Sequence, residues 1–248
     1  MRPRKFTLIE LLMVITVIII LVSLMFPLIR RLNEKGRRVV CLSNQKQLLQ
    51  AIHIYAGANR GFLPDDAGVF YTSFDLTESG WGAYAKVPAG MGLLISAGYL
   101  PGGKAFHCPS LDTRRAAISG HCMNLTQSNF WNGVGASSFA NPAFSSYRKI
   151  VGYHYRWPSY KAATGIALRN SADGKLVISS DILDARFSTA LYGHKDGYNR
   201  VLLDGSGSYY SDPSRLLYSR AVASPDTTFD GSGGDVPLNE AIFTLMAQ

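Results

Sequence analysis

His194 and Asp204 stand ten positions apart on the two sides of a short strand-like run, with Ser206 close by, and such a His and Asp could form an acid/base pair. Ser206 is not set as a nucleophile. Gly205 and Gly207 flank it directly, the G-x-S-x-G elbow is absent, and no second catalytic motif is conspicuous. The simpler role is architectural: Asp204-Gly205 has the composition of a tight turn, glycine tolerating positive φ, and His194 then hydrogen-bonds backbone in a loop. A non-enzyme is therefore expected. Cysteine chemistry is similarly limited, since Cys41, Cys108 and Cys122 allow at most one bridge with one thiol left over. His107-Cys108 and His121-Cys122 put two thiols and two imidazoles within sixteen residues. Zinc ligands are usually about two to four residues apart, however, and adjacent side chains rarely converge on one ion, so no metal ligand is assigned. A Cys108–Cys122 disulfide, contributing about 3 kcal/mol through chain entropy, competes with two unpaired buried thiols. Cys41 falls on a helix face where core packing is its default.

The elements that must carry these residues begin with one long apolar run. Behind Met1-Arg2-Pro3-Arg4-Lys5, residues 6–29 hold a single charge, Glu10, and are otherwise almost all Leu, Ile, Val, Met and Phe. A helix of this length, rising about 1.5 Å per residue, reaches across the roughly 30 Å hydrocarbon core of a bilayer. A secretory signal peptide would share the basic start, but the run is too long and no A-x-A-like site follows it. An apolar surface all round the helix disfavours a core helix. Glu10 costs several kcal/mol at such a place unless it reaches the headgroups, is protonated or is paired, and a partner charge from another chain would serve. Pro27, late in the run, is expected to kink the helix or loosen its hydrogen bonds.

Charge follows the same division. The net charge is +8, with eight lysines and arginines against two acidic residues in 1–40 and seventeen against fifteen in 41–248. The positive charge thus flanks the apolar run, and a nucleic-acid surface on the remainder is not expected. With 47% apolar and 17% charged residues the chain is neither disordered nor collagen-like, and 24 glycines, 11 prolines and 13 tyrosines point to a turn-rich, β-containing larger part.

Beyond the run, Arg30 to Arg38 is a charged stretch interrupted by Gly36, suited to the headgroup level. Cys41, Leu42, Gln45, Leu48, Leu49, Ile52 and Tyr55 then recur at three- and four-residue spacing, which predicts an amphipathic continuation over 30–57 with one face prepared for a core. Two helices parted at Gly36 are the alternative to one rod about 75 Å long. Residues 58–248 form the head. Met91 to Leu100 predicts one short helix, 123–160 an extended loop, 175–180 and 199–203 strands, Asp204-Gly205 a hairpin turn, and Leu238 to Met246 a short helix.

Lys5-Phe6-Thr7-Leu8-Ile9-Glu10-Leu11-Leu12, after a basic leader and before a long apolar stretch, resembles the prepilin-type cleavage and methylation motif of type IV pilins and type II secretion pseudopilins. The resemblance implies that a membrane peptidase cuts between Lys5 and Phe6 and methylates the new amine. It further implies that Glu10 pairs with the amine of a neighbouring subunit and that Pro27 is the helix-loosening proline of the family. Where the family usually has glycine before the cut, this chain has Lys5. Cys41-Leu42-Ser43-Asn44, Tyr55-Ala56, Gly61 to Pro64, Phe106-His107-Cys108-Pro109, and His194 followed after nine residues by Asp204-Gly205 resemble the branch with an H-x9-DG signature. The implied fold is α+β and pilin-like: residues 1–5 a leader, 6–29 a transmembrane helix, 30–57 its amphipathic half packed on a small antiparallel sheet, and a head with a large irregular loop region.

The implied function is that of a structural subunit of a type II secretion pseudopilus or type IV pilus-like filament. Its implied partners are copies of itself and other pseudopilins, the prepilin peptidase, the inner-membrane assembly machinery and lipid, with no nucleic acid. The implied location is the bacterial inner membrane, single-pass, with the head in the periplasm or at the cell surface. Three basic residues before the span against five after it would by themselves favour a cytoplasmic head. No cofactor is expected, save that some pseudopilins bind calcium, for which Asp181, Asp184, Asp196, Asp204 and Asp212 are candidates without EF-hand spacing. A membrane-anchored module holding polysaccharide or secreted substrate through Trp81, Trp131, Trp157 and the tyrosines is the alternative.

Overall fold

The computed structural model describes residues 7–64, 90–110, 153–156, 168–181, 183–184, 191–192, 194 and 197–212. The chain is mixed α+β, an N-terminal apolar helix with a small antiparallel sheet, and it divides into two units, Met1–Arg37 and Arg38–Gln248.

In the first unit, helix α1 (Leu8–Ala58) starts on a reciprocal cap. The Thr7 N–H and hydroxyl both donate to Glu10 Oε2 at 2.8 Å, and the Glu10 N–H donates to Thr7 Oγ1 at 3.3 Å. This T-x-x-E capping box satisfies amides that a helix start otherwise leaves open, and it puts a carboxylate at the positive end of the helix dipole. From Leu8 to Phe26 the helix has a mean hydropathy of 2.9 and no buried residue, so it is long and apolar enough to cross a membrane. Two hydroxyls in this stretch are spent within the helix: Thr16 donates to the Met13 carbonyl at 2.8 Å and Ser23 to the Ile20 carbonyl at 2.7 Å. Each is thereby spared the cost of a bare donor in an apolar setting. The helix runs on through both Pro27 and Gly36, so two helices parted at Gly36 are not what the chain forms.

In the second unit the continuing helix turns the expected stripe inward. Cys41, Gln45, Leu48, Leu49, Ile52 and Ala56 are buried, with Leu42 and Tyr55 half-buried at the margins. Each large side chain so buried contributes about 1.5–3 kcal/mol. The helix ends where Gly61 N–H reaches back to the Ala56 carbonyl at 2.8 Å and the Asn59 side chain caps the Tyr55 carbonyl at 2.8 Å. Arg60 takes the left-handed conformation at φ 56°, which a non-glycine residue adopts only at some cost. A short helix α2 (Gly92–Ser96) and a 3-10 turn (Gly103–Phe106) supply Leu94, Ile95 and Phe106 to the same core. The expected Met91–Leu100 helix is thus cut to five residues, because Leu100 N–H returns to the Leu94 carbonyl at 2.8 Å and closes it off.

The sheet has strand order β1-β2-β5-β6, antiparallel throughout, from β1 (Tyr153–Tyr155), β2 (Val177–Asp181), β5 (Gly197–Leu202) and β6 (Gly207–Ser211). Strands β3 (Leu183–Asp184) and β4 (Leu191–Tyr192) form a separate two-stranded ladder. Strand β2 is buried along its whole length and reads as a continuous apolar-to-polar run rather than an alternation, as a strand covered on both faces does. Gly207 sits where a Cβ would meet Leu42 Cδ1 at 2.9 Å, which brings the start of β6 flush against the helix. Gly197 is required by a closer approach still, since a Cβ there would lie 2.0 Å from the Tyr210 carbonyl oxygen. Strand β1 corrects the expectation of a loop throughout 123–160. Its three residues pair Tyr153, His154 and Tyr155 with Asp181, Ser180 and Ser179, and its two tyrosines are buried. A run that short has no period to betray it. The leader with Lys5 and Phe6, the second His-Cys pair, Trp81, Trp131, Trp157 and the helix expected at 238–246 lie outside the described residues.

Candidate functional site

Where α1, the segment after the 3-10 turn, β2 and β5 meet, the second unit buries polar side chains that the core itself does not need. Asp181, last on β2, is the hub. Its Oδ1 accepts from Gln45 Nε2 at 2.7 Å, and its Oδ2 accepts from the Asn199 backbone N–H at 2.6 Å and faces His194 Nε2 at 3.1 Å. His194 Nδ1 lies 3.0 Å from Ser110 Oγ. The Asp181 carboxylate can only accept, so Nε2 carries a proton and donates to it, while Nδ1 and the Ser110 hydroxyl share a hydrogen bond. Asn199 Nδ2 approaches Nε2 at 3.2 Å and donates a hydrogen to the Arg38 carbonyl at 3.1 Å. Tyr209 on β6 stands edge-on to the His194 ring at 6.2 Å and carries the Arg38 guanidinium over its face at 4.1 Å. Gln45, Asp181 and His194 are wholly buried. A buried carboxylate is tolerated only when its lone pairs are filled in this way.

Beside this hub lie two sulfurs. Cys41 Sγ and Cys108 Sγ are 2.7 Å apart, both fully buried. The expected partner of Cys108, Cys122, lies outside the described residues, whereas the thiol standing against Cys108 is that of Cys41. The reason is the docking of the 106–110 segment on α1. Asn44, one turn along from Cys41, donates to the His107 carbonyl at 3.0 Å, and the Tyr153 hydroxyl donates to the same oxygen at 3.1 Å. Burial pushes the Cys108 thiol well above its ordinary value, the Cys41 thiol adding to the rise and His194 opposing it. Burial likewise raises the Tyr153 phenol, with the Cys41 and Cys108 sulfurs next in effect. Both groups thus hold their protons to higher pH in the fold than in the unfolded chain. Stability is therefore intact below their ordinary values and is lost as pH rises toward the folded ones. In the presence of reductant, the urea midpoint of the full chain is expected to fall steadily above about pH 9. A midpoint flat from pH 8 to 11 would contradict this.

His194 and Asp204 do not meet. His194 sits at the Asn199 end of β5 and takes Asp181 as its carboxylate partner, with the Ser110 side chain on its other nitrogen. Asp204 is exposed beyond the other end of the strand, where Asp204-Gly205 makes the β5–β6 turn. The Asp204 carboxylate accepts from the Ser206 N–H at 2.8 Å, Gly205 N–H bonds the Leu202 carbonyl at 3.1 Å, and Gly205 takes φ 90°, which suits glycine. Hydrogen bonding from Ser206 holds the Asp204 carboxyl below the usual range. The H-x9-DG pattern therefore spans a strand with a buried imidazole near one end and a turn at the other.

Cys41, Cys108, Asp181 and His194 offer ligand atoms all within 4.8 Å of one another, the one such group among the described residues. Two thiols, an imidazole and a single carboxylate are not the oxygen set that calcium selects. Of the calcium candidates, Asp181 is taken up by this hub, Asp204 by its turn, and the side chains of Asp184 and Asp196 lie outside the described residues. Cys108, His194 and Asp181 also follow a nucleophile, base and carboxylate order, but they are sealed from solvent and have the surroundings of a bonded core.

Sequence reasoning passed over two features. The T-x-x-E box at Thr7–Glu10 is local and was open to detection from spacing alone. The hub is not, because Gln45 meets Asp181 across 136 positions and Cys41 meets Cys108 across 67. Comparison of the chain with protein-family models, with curated proteins and with solved structures finds no match.

Proposed function

We propose that the chain is a structural subunit of a pilus-like filament, of the type II secretion pseudopilus or type IV pilus kind, held in the inner membrane by residues 6–29 until assembly. The observation that carries this reading is helix α1 itself. One helix, Leu8–Ala58, is exposed and apolar through Phe26 and then carries a buried stripe from Cys41 to Ala56. A membrane anchor alone needs only the first half. A helix that anchors and also forms the spine of a folded head can carry the head with it when helices gather side by side. The cap adds support: Glu10 is the one charge in the apolar stretch and stands in the first turn, next to the place where processing would create an amine on Phe6. The partners of such a subunit are other copies, related pseudopilins, a prepilin peptidase and the inner-membrane assembly machinery, and its head faces the periplasm or the cell surface.

Mass spectrometry of the N-terminus in native membranes tests the reading. Residues 1–5 are expected to be absent and Phe6 to be N-methylated. A chain recovered only with Met1 in place would reject the pilin pathway.

A further inference from the structure

Cys41 and Cys108 belong to different elements, α1 and the segment leaving the 3-10 turn, yet their sulfurs are 2.7 Å apart. Nonbonded carbon atoms already settle at roughly 3.5 Å or more, and sulfur is larger. A metal ion held by both would sit about 2.3 Å from each sulfur, and tetrahedral geometry would spread them to about 3.8 Å. The other two donors near by are also engaged: Asp181 by Gln45 and the Asn199 N–H, His194 by Asp181 and Ser110. Contacts on both sides of Cys108 hold it opposite Cys41, the Asn44 bond to the His107 carbonyl before it and the Ser110 bond to His194 after it.

We infer that Cys41 and Cys108 form a disulfide in the mature protein, stapling the amphipathic half of α1 to the 106–110 segment and leaving Cys122 as the unbridged cysteine. The oxidant is an external protein disulfide. One cysteine thiolate attacks a sulfur of the donor disulfide, breaking it, releasing one donor thiolate and forming a mixed disulfide. The second cysteine thiolate attacks the chain's own sulfur in that mixed disulfide and releases the other donor thiolate. Two electrons pass to the donor, which leaves as a dithiol, and the protons of the two chain thiols go to it. Burial keeps Cys108 protonated once the core has closed, so the exchange belongs to the stage at which the segment docks on the helix. Such a bond persists only on an oxidising side of the membrane, which places the head there whether or not the chain assembles into filaments.

The full-length protein, taken from membranes in detergent without reductant, is denatured in acid, alkylated with a maleimide and digested. The expected result is a Cys41–Cys108 crosslinked peptide, two hydrogens lighter than the pair of thiol peptides, with maleimide on Cys122 alone. Adding reductant to the folded protein is expected to lower Tm by about 10 °C. In Cys122→Ser the crosslink persists. Maleimide on all three cysteines, a Cys108–Cys122 link, or one zinc per chain with both thiols recovered would each overturn the assignment.

Discussion

His194→Ala is expected to destabilise the 38–248 unit by about 3–5 kcal/mol, and Asp181→Ala by a similar amount, while Asp204→Ala leaves the unfolding midpoint close to that of the parent chain. The contrast follows from what each group touches. Removing the His194 ring takes one partner from the buried Asp181 Oδ2 and takes from Ser110 Oγ the nitrogen it bonds. Removing Asp181 strands Gln45 Nε2, the Asn199 N–H and the imidazole together. Each variant breaks a buried polar set at one point and exposes the full cost of unpaired groups. Asp204 holds only its own turn in water, where a lost bond is replaced by solvent. The double variant His194→Ala/Asp181→Ala should cost less than the two singles added, because the second deletion removes a group already stranded. Urea unfolding of the full chain in detergent measures all four. An Asp204→Ala effect as large as that of His194→Ala would remove the hub from the account.

Glu10 carries the second large effect, and it is one of assembly rather than folding. Under the filament reading, Glu10→Leu and Glu10→Gln should both reduce filament number on the order of tenfold or more while leaving membrane insertion intact. The two variants separate capping from charge. Glutamine can occupy the fourth position of the capping box and accept from the Thr7 N–H as glutamate does, whereas leucine cannot. If capping of α1 were the whole role of Glu10, the glutamine variant would assemble normally. Failure of both variants points to the carboxylate charge, and hence to an amine from a neighbouring chain. Thr16 and Ser23 offer little in its place, since each hydroxyl donates to a carbonyl of its own helix. Counting filaments by electron microscopy beside the parent chain decides it, and normal filaments from Glu10→Gln would end the pairing proposal.

What the sequence determined by itself is what depends on neighbours within a turn or a strand. The apolar run with its lone Glu10 and strands β2 and β5 follow from the composition of short segments, and the stripe from Cys41 to Ala56 from its periodicity. The Asp204-Gly205 turn follows from its dipeptide, where φ 90° at Gly205 suits glycine. Even the Thr7–Glu10 cap was there to be read. Tertiary structure alone decided the partners of the chemistry-bearing side chains. His194 was set beside Asp204 by proximity in sequence, but consecutive side chains of a strand point to opposite faces and its length separates its ends, so β5 holds the two apart. The carboxylate that reaches His194 comes from β2, because antiparallel pairing lays Ser180 against Arg200 and so brings Asp181 alongside Asn199. Likewise Cys108 faces Cys41 across 67 positions because the 106–110 segment docks on the inward stripe of α1. Such meetings depend on how buried faces fit once the chain has closed its long loops, and no local pattern of residues encodes that fit.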